Sequence, residues 1–506
     1  MKILLTTLNS KYIHSNLALK YLYGVVAQSG CNVELKEFTI NNEDNYIYTE
    51  LVRANYDIVC FSCYIWNIEK IKIICENLKK AKPEVKILVG GPEVSYDSVT
   101  FMEENPAIDY LLRGEGEYPF FQFCKNIVLE DDDFSSVGGM VFRKDGEITV
   151  NPQGETPDFE KVPFPYEALD CETDKVLYYE ASRGCPYRCS YCLSSIDKTI
   201  KALPLERVRR DLGYFIFKEV KQVKFIDRTF NFDRERAYSI WKYLIDNDNG
   251  TTNFHFEICG ELLDEKTLDL LGKARKDLFQ FEIGIQSANP VALKAVNRSE
   301  SITPILSNVT KLLNLRNSHI HVDLIAGLPY EDYASFGKSF NVIYQLKADN
   351  LQLGFLKLLK GTKIREEAME HGYVFRTKAP YEIISSNYMT SVEMIKLKMI
   401  ETVLDLYYNK GGFGKTLSFV EPAVAKTPFN FYEQLADFFY SHGFQHKSHK
   451  KEDLYRIMRK FIESREDEIK VDGLLDMATE LLSQDLEETM NFDAVKKFNK
   501  KGWEIQ

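Results

Sequence analysis

Long hydrophobic runs are missing from this chain. No apolar stretch approaches the roughly eighteen uninterrupted residues that a membrane-spanning helix needs, so the sequence predicts no membrane partner. The first residues, MKILLTTLN, lack the length and the small-residue cleavage site of a signal peptide and instead predict a first β-strand. A cytoplasmic location is the expectation.

Dense positive charge is also missing. The formal net charge is −11, and no concentrated basic block precedes the mildly basic segment Lys496–Lys501. This weighs against nucleic acid as the main partner, because proteins that bind it carry clustered Lys and Arg, although a tRNA or peptide substrate stays open. The 506 residues, 44% hydrophobic and 27% charged, are typical of a globular protein of two or three domains.

Cysteine is too sparse for a disulfide scaffold, with ten in the whole chain. Seven are scattered, mostly in apolar patterns where a free thiol packs as a small hydrophobe: Cys31, Cys60, Cys63, Cys75, Cys124, Cys171 and Cys259. Cys60 and Cys63 form a CxxC pair, but the run around them is strand-like, so core packing is the favoured interpretation. The other three cysteines lie together.

Cys185, Cys189 and Cys192 have the spacing Cys-x3-Cys-x2-Cys, in a loop predicted to follow a strand. A closed structural zinc or iron–sulfur site uses four protein ligands, whereas three ligands leave one metal position open, as a catalytic metal does. Chance surface thiols or a zinc knuckle are the alternative, which the position at the end of a strand disfavours.

This run resembles the signature of the radical S-adenosylmethionine (radical SAM) enzymes. The resemblance implies that the three cysteines hold a [4Fe–4S] cluster, that the fourth iron binds SAM, and that an electron from the cluster cleaves SAM to a 5′-deoxyadenosyl radical. It also implies that Tyr191 lies near the adenine. A flavodoxin- or ferredoxin-type electron donor is then an expected partner.

Strand and helix patterns alternate through residues 1–135, which predicts a doubly wound, Rossmann-like α/β domain whose ligand binds at the carboxyl ends of the strands. At those ends Gly90-Gly91 lets a ligand approach the backbone, and Ser62 offers a hydroxyl. Gly114-Glu115-Gly116-Glu117 does the same and opens a helix N-terminus, which is rich in donors. The residues alone predict a crevice for a flavin, a nucleotide or a cobalamin.

These segments, together with the run from Asn9 to His14, look like the cobalamin-binding domain that precedes many radical SAM domains. The resemblance implies cobalamin contacts from Asn9, Ser10, Tyr12, Ser62, Gly90, Gly91, Glu93, Gly114, Glu115, Gly116 and Glu117. The lower-ligand pattern Asp-x-His-x-x-Gly is absent, because Tyr12 and Leu17 stand where Asp and Gly would be. His14 is therefore interpreted as a helix-start residue rather than a cobalt ligand.

Residues 136–169 are predicted to form a hairpin, turning at Lys144-Asp145-Gly146, and a linker rich in Pro, Gly and acidic residues. Over residues 170–370, six strands, most followed by a helix, predict a partial (β/α)6 barrel of the TIM type. The predicted strands are Val176–Ser182, Val223–Asp227, Phe254–Cys259, Phe279–Ile285, His319–Ile325 and Asn350–Lys357.

The resemblance places further SAM contacts on the barrel strands. It implies that Asp227 approaches the methionine amine, that Arg298 forms a salt bridge with the SAM carboxylate, and that Gly327 lets the adenine ring approach the backbone. Glu282 and Gln286 lie four apart, so alternation puts them on one face of a strand, where they could hold the ribose hydroxyls. An ordinary buried polar pair, and a solvated helix-end arginine for Arg298, are the alternatives.

Residues 371–506 are predicted to be largely helical and resemble an uncharacterised extension found behind some cobalamin radical SAM proteins. Four helices are predicted there: Val392–Tyr408, Asn430–Ser441, Lys451–Arg465 and Leu474–Glu488. His442, His446 and His449 could align on a helix, but their surroundings are typical of a loop, so a solvated connector is preferred to a metal site.

The sequence therefore predicts a cobalamin-dependent radical SAM enzyme. By resemblance, the commonest outcome is methyl transfer to an unactivated carbon of an unknown small molecule or peptide. Radical ring contraction or cyclisation without methyl transfer is the nearest alternative, and a cobalamin- or SAM-responsive sensor is the non-enzymatic one. A methylthiotransferase acting on tRNA is disfavoured, because Cys31, Cys60 and Cys63 do not present the three loop cysteines of a second cluster.

Overall fold

The computed structural model describes residues 1–27, 29–144, 146–154, 158–169, 172–197, 199–466 and 471–504. Among the features predicted above, Asp145 in the hairpin turn, residues 155–157 of the linker, and Cys171 lie outside the described residues.

The first sheet contains strands β1 to β7, and five helices connect or cover them. The elements are β1 Lys2–Asn9, α1 Leu17–Val26, β2 Asn32–Thr39, α2 Asp44–Arg53, β3 Ile58–Ser62, α3 Ile68–Ala81, β4 Lys86–Gly90, α4 Ser98–Glu104, β5 Tyr110–Leu112, α5 Glu117–Val128, β6 Met140–Lys144 and β7 Glu147–Val150. The strand order is β2-β1-β3-β4-β5-β6-β7, with the first five parallel. Every residue of β3 is buried, as expected for a strand covered by helices on both faces. The predicted doubly wound sheet is confirmed.

The predicted hairpin extends this first sheet. β6 pairs antiparallel with β5, and β7 pairs antiparallel with β6. The hairpin therefore belongs to the sheet of the first domain, and the connection to the barrel follows it.

The second sheet has six parallel strands in the order β15-β14-β13-β12-β11-β8, the predicted partial barrel. Its elements are β8 Val176–Tyr179, β9 Ser182–Arg183, β10 Lys201–Ala202, α6 Leu205–Phe217, β11 Gln222–Phe225, α7 Arg234–Asp246, β12 Asn253–Ile258, α8 Glu265–Leu271, β13 Phe279–Gln286, α9 Pro290–Ala295, α10 Thr303–Asn314, β14 His319–Ala326, α11 Tyr333–Tyr344, β15 Asn350–Phe355 and α12 Lys363–Glu366. The first predicted strand ends early, at Tyr179, and β9 pairs with β10 instead, at the start of the cysteine loop.

Alternation along the barrel strands gives the barrel a polar interior. In β13 the odd-numbered residues Phe279, Phe281, Ile283 and Ile285 are buried, whereas the even-numbered ones are half-buried on the opposite face. The apolar side chains pack into the large core that also contains residues of the surrounding helices, such as Trp241 and Phe340. The polar side chains of the opposite face are therefore available to contact a ligand.

The last part of the chain is helical, as predicted. After the small hairpin β16 Val374–Phe375 and β17 Ile383–Ser385 come α13 Ser391–Leu404, α14 Gly414–Val424, α15 Pro428–Ser441, α16 Lys451–Glu463, α17 Leu474–Thr489 and α18 Phe492–Lys501. A π-helical turn, Asp405–Asn409, continues α13. Two of these helices, α14 and α18, were not predicted. Within the described ranges, no helix combines the length and the apolar character needed to cross a membrane.

Helix α1 contributes to two hydrophobic cores. Leu19 and Val26 belong to the core of the first domain. Leu17 and Tyr21 instead belong to the core of the barrel, together with residues such as Tyr166. The first domain and the barrel are thus joined through a shared helix as well as through the connecting chain.

We expect Gly91→Ala to destabilise the first domain strongly. Gly91 has φ +107°, and an added Cβ would stand 2.6 Å from the carbonyl oxygen of Cys63. Gly250 has a comparable φ of +75° but open space around it, so Gly250→Ala isolates the backbone strain, about 1 kcal/mol. The clash should raise the loss for Gly91→Ala to roughly 3 kcal/mol. Urea unfolding of the two variants checks this, and equal losses would contradict it.

Candidate active site

The three clustered cysteines line one cavity of about 280 Å³ at the carboxyl ends of the barrel strands. Cys185 and Cys189 are buried, and Cys192 is half-buried. Gly184 lets the loop turn at φ +88°, where a Cβ would meet the carbonyl oxygen of Thr199. Across the described ranges, no group of three or more His, Cys, Asp or Glu side chains is arranged to hold a metal ion. We call the cavity lined by Cys185, Cys189 and Cys192 the cysteine cavity.

Arg298 braces the cysteine loop from the opposite side of the cavity. Its guanidinium donates to the hydroxyl of Tyr191 at 3.2 Å and to the carbonyl oxygen of Gly284 at 2.5 Å, and lies 3.7 Å from the sulfur of Cys189. Arg298 is therefore not a solvated helix-end residue. It lines the cysteine cavity, as Tyr191 does.

Asp227 is not among the residues that line the cysteine cavity, and its contact with the SAM amine stays a prediction. The side chain is 2% exposed and accepts hydrogen bonds from the backbone amide of Ala181 and the hydroxyl of Ser182. Both carboxylate oxygens are thus engaged by the segment that leads into the cysteine loop. Asp227 positions that loop, and burial raises its pKa to about 6.

Glu282 and Gln286 both line the cysteine cavity, as the alternation predicts. Glu282 Oε2 lies 3.0 Å from Lys224 Nζ and 3.2 Å from His255 Nε2. Burial alone would raise the pKa of Glu282, but His255 and the charge of Lys224 outweigh it and lower the pKa to about 2. Gln286 follows a β-bulge at φ +73°, and its buried Oε1 has no hydrogen-bond partner in the described structure.

Gly327 is likewise not among the residues that line the cysteine cavity, and the approach of an adenine ring to it stays a prediction. A Cβ on Gly327 would stand 2.0 Å from the side chain of Ile383, in the hairpin that follows the barrel. Its carbonyl oxygen accepts a hydrogen bond from Tyr373. The space above this glycine is therefore filled by the C-terminal part of the chain.

Asp323 is a cavity residue that the sequence reasoning missed. It lies on β14 among apolar neighbours and faces the polar interior of the barrel, with its buried Oδ1 unpartnered in the described structure. Burial, and then the charges of Glu282 and Glu257, raise the pKa of Asp323 to about 8. A single carboxylate between the apolar residues Val322 and Leu324 was the available signal. The unpartnered oxygens of Asp323 and Gln286 fit a cavity built to bind a polar ligand.

Asp323→Asn should stabilise the cofactor-free protein increasingly as pH rises from about 4 to about 8. In that window the unfolded chain has released the Asp323 proton and the folded chain keeps it, so wild-type stability falls with pH. The asparagine variant lacks this loss, which is at most about 1.4 kcal/mol per pH unit. Thermal midpoints across the range measure the effect. The surface variant Asp174→Asn, whose parent carboxylate has a pKa lowered by Lys221, should show no such gain.

A second, larger cavity of about 790 Å³ lies between the first domain and the barrel. We call it the interdomain cavity. Most residues predicted to contact cobalamin line it, namely Asn9, Ser10, Ser62, Gly90, Gly91, Gly114, Glu115, Gly116 and Glu117. Barrel residues such as Tyr178 and Ile226 form the other wall. The structure therefore brings together loops that are up to 108 positions apart in the sequence because parallel strands end at one edge of the sheet.

Two predicted cobalamin residues do not line this cavity. Tyr12 is 78% exposed and lies beside Lys175 at the surface. Glu93 is 3% exposed, accepts a hydrogen bond from Tyr381 and pairs with Lys360 at 3.4 Å. Glu93 thus connects the first domain to the segment after the barrel.

Glu115 and Glu117 face the cavity, but their carboxylates are paired with Arg183. The guanidinium of Arg183 lies 2.9 Å from Glu115 and 2.9 Å from Glu180, and it also donates to Glu117. Its side chain is 11% exposed, and its guanidinium rests over the ring of Phe159 at 4.4 Å. Because Arg183 directly precedes Gly184, this network connects the loop of the first domain to the cysteine loop.

His14 lines the interdomain cavity and lies two residues before Asn16, the N-cap of α1, close to the predicted helix start. Its Nδ1 lies 2.8 Å from the hydroxyl of Tyr178, and its backbone bridges to Val176 of the barrel. Burial, with Lys11 and Lys224, lowers the pKa of His14. His442 and His449 likewise hydrogen-bond to local carbonyl oxygens, those of Phe438 and Phe444, near the end of α15.

The two cavities meet at two residues. Arg228 and Glu257 line both the interdomain cavity and the cysteine cavity. A ligand in one cavity and a ligand in the other would therefore approach each other at this place, which we call the junction.

Comparisons with protein families cover most of the chain. The B12 binding domain family matches residues 3–123, and the radical SAM superfamily matches residues 179–343. The chain combines a B12 binding domain with a radical SAM domain. The first match ends before the hairpin and contains the strand ends of the interdomain cavity; the second contains the cysteine loop. Residues 369–504 match a family described as a protein of unknown function, DUF4080, in agreement with the predicted extension.

Curated relatives of the two-domain unit include methyltransferases. The cobalamin-dependent radical SAM methyltransferase TokK of Streptomyces tokunonensis is 25% identical over 299 residues, covering 55% of this chain and 44% of TokK. The 2-(S-pantetheinyl)-carbapenam-3-carboxylate methyltransferase of Streptantibioticus cattleyicolor is 23% identical over 345 residues, covering 63% and 50%. An anaerobic magnesium-protoporphyrin IX monomethyl ester cyclase of Rubrivivax gelatinosus is 23% identical over 311 residues, covering 56% and 53%. The chain spans about half the length of these relatives.

Solved structures share the fold of the B12 binding and radical SAM domains. The cobalamin-dependent S-adenosylmethionine radical enzyme OxsB, with aqua-cobalamin bound, superposes with a TM-score of 0.66 at 14% identity, covering 99% of this chain and 83% of OxsB. The radical SAM methyltransferase TsrM of Kitasatospora setae, with cobalamin and a [4Fe-4S] cluster bound, has a TM-score of 0.60 at 16% identity, covering 75% and 76%.

Proposed function

We propose that this chain is a cobalamin-dependent radical SAM enzyme that methylates an unactivated carbon of a small-molecule or peptide substrate. The observation that supports this most is the meeting of two cavities at the junction, one lined by the three cysteines and the other by the loops of the B12 binding domain. Relatives named as methyltransferases favour methyl transfer as the outcome.

The residue types that line the two cavities suit the cofactors that this function requires. Cys185, Cys189 and Cys192 would hold a [4Fe–4S] cluster, since thiolates are the usual ligands of such clusters. Gln286 and Asp323 carry unpartnered oxygens in the same cavity and would meet the polar groups of SAM. When bound, the cluster would supply the electron that cleaves SAM, and the cobalamin would supply the methyl group.

The loop glycines would hold cobalamin in the interdomain cavity. Gly90, Gly91, Gly114 and Gly116 line its wall and leave the backbone accessible to a large ligand. His14 would form part of the same wall, with its Nδ1 hydrogen-bonded to the hydroxyl of Tyr178. The enzyme would act in the cytoplasm, with a flavodoxin- or ferredoxin-type protein as electron donor.

Radical cyclisation or rearrangement without methyl transfer is a second candidate, supported by the likeness to a protein named as a cyclase. The product nucleosides separate the two functions. The protein is purified without oxygen and reconstituted with iron, sulfide and hydroxocobalamin. When it is then reduced in the presence of SAM, it should release 5′-deoxyadenosine. S-adenosylhomocysteine formed alongside it supports methylation. 5′-Deoxyadenosine alone supports rearrangement, and a full cluster without any SAM cleavage would contradict both functions and favour a sensor.

A further inference from the structure

Arg228 is a cavity arginine with no partner in the described structure. It follows β11, is exposed into the space at the junction, and forms no hydrogen bond or ion pair through its side chain with any described residue. Its backbone carbonyl accepts a hydrogen bond from Thr229, which keeps the turn in place.

The other two arginines that line these cavities are already engaged. Arg183 is held by three glutamates, and Arg298 donates to Tyr191 and to the carbonyl oxygen of Gly284. Among the described residues that line either cavity, Arg228 therefore carries the guanidinium whose donors are all available.

Nearby carboxylates do not neutralise Arg228 by contact. Lys224 lies 3.0 Å from Glu282 and 4.0 Å from Glu257, so these two carboxylates share a lysine. Burial raises the pKa of Glu257, and the charge of Arg228, ahead of that of Lys224, opposes that rise. The charge of Arg228 thus acts on Glu257, but the two side chains form no ion pair in the described structure. The donors of Arg228 point to an anion that is not part of the protein.

We propose that Arg228 anchors an anionic group of the substrate, a carboxylate or a phosphate, at the junction. This inference rests on the proposed function, because a substrate that reacts with both cofactors must reach both cavities. A guanidinium presents its donors as a planar fork that matches the two oxygens of a carboxylate or phosphate. A substrate held there lies where the two cavities meet, and the enzyme selects acidic substrates.

Titration of the reconstituted protein, loaded with cluster, hydroxocobalamin and SAM, tests the proposal directly. The probes are inorganic pyrophosphate, succinate and, as a cation, putrescine, each followed by isothermal titration calorimetry. The variants are Arg228→Gln and Arg228→Lys. Arg209→Gln is the matched control, since Arg209 is exposed on α6 and also has no partner in the described structure, but lines neither cavity.

We expect wild type to bind at least one of the two anions, and Arg228→Gln to bind it about tenfold or more weakly. Arg228→Lys should retain part of the affinity, and Arg209→Gln should match wild type. Tighter binding of pyrophosphate than succinate assigns a phosphate, and the reverse assigns a carboxylate. In protein with full iron and cobalamin contents, anion binding that does not depend on Arg228 overturns the inference. Binding of putrescine alone to such protein overturns it as well. Failure to load either cofactor overturns the proposed function instead.

Discussion

Cys189→Ala should leave a protein that folds but produces almost no 5′-deoxyadenosine. Cys189 is buried at the wall of the cysteine cavity, and its sulfur lies 3.7 Å from Arg298. Changes to residues around a metal site commonly lower affinity or activity 10- to 100-fold, so loss of a proposed cluster ligand should lower SAM cleavage by at least about a hundredfold. Iron content, the visible absorption of the reconstituted cluster and the nucleoside yield measure the effect.

Cys259 provides the matched control for this substitution. It lines the same cavity and accepts a hydrogen bond from Tyr187 at 3.3 Å, but it lies outside the Cys-x3-Cys-x2-Cys run. Cys259→Ala should therefore take up as much iron and sulfide as wild type. If Cys259→Ala loses the cluster while Cys189→Ala keeps it, the assignment of the ligands is wrong.

Arg183→Met should lower both the stability of the protein and its retention of cobalamin. Methionine keeps much of the side-chain volume but leaves the carboxylates of Glu117 and Glu180 without their cation, while Glu115 keeps Lys201 at 2.6 Å. Glu180 already has a pKa raised to about 7 by burial, which the charge of Arg183 partly opposes. Removing one partner from a buried ionic network typically destabilises a protein by about 3–5 kcal/mol.

The comparison variant is Arg210→Met, which removes an arginine that is 63% exposed and pairs with Asp211. Asp211 is buried but keeps Arg207 at 3.4 Å and the hydroxyl of Tyr179 at 3.1 Å, so loss of the exposed arginine should cost about 1 kcal/mol or less and this variant should unfold close to wild type. Thermal midpoints of the cofactor-free proteins, and cobalamin absorbance after gel filtration, report the two effects. Equal midpoints for the two variants would show that the Arg183 network is not structural.

The sequence predicted the parts of this molecule that depend on local pattern. Alternation put Glu282 and Gln286 on one face, and the apolar run of β3 predicted a strand covered on both sides. The cysteine spacing located the cavity, and Gly90-Gly91 located a loop that lines the other one. Each of these features is determined by the few residues that form it and their immediate neighbours in the sequence.

The features that escaped prediction depend on distant parts of the chain. Asp227 accepts hydrogen bonds from Ala181 and Ser182, and the side chain of Ile383 covers Gly327. The sequence next to Asp227 or Gly327 indicates neither contact. Glu115 and Glu117 had the expected location, but nothing local showed that Arg183 would pair with both. The position of Arg228 at the junction likewise depends on how the first domain and the barrel pack together.

Helix α1 has a consequence for how the chain can be divided. One face of the helix packs with Leu19 in the first domain, while Tyr21 packs in the core of the barrel. Domains normally move relative to each other unless a large apolar interface joins them, and here the interface contains a shared helix. A B12 binding domain expressed alone would expose that apolar face to water, and a barrel expressed alone would lack part of its core. An exchange of either domain in evolution would therefore have to carry both domains together as one unit.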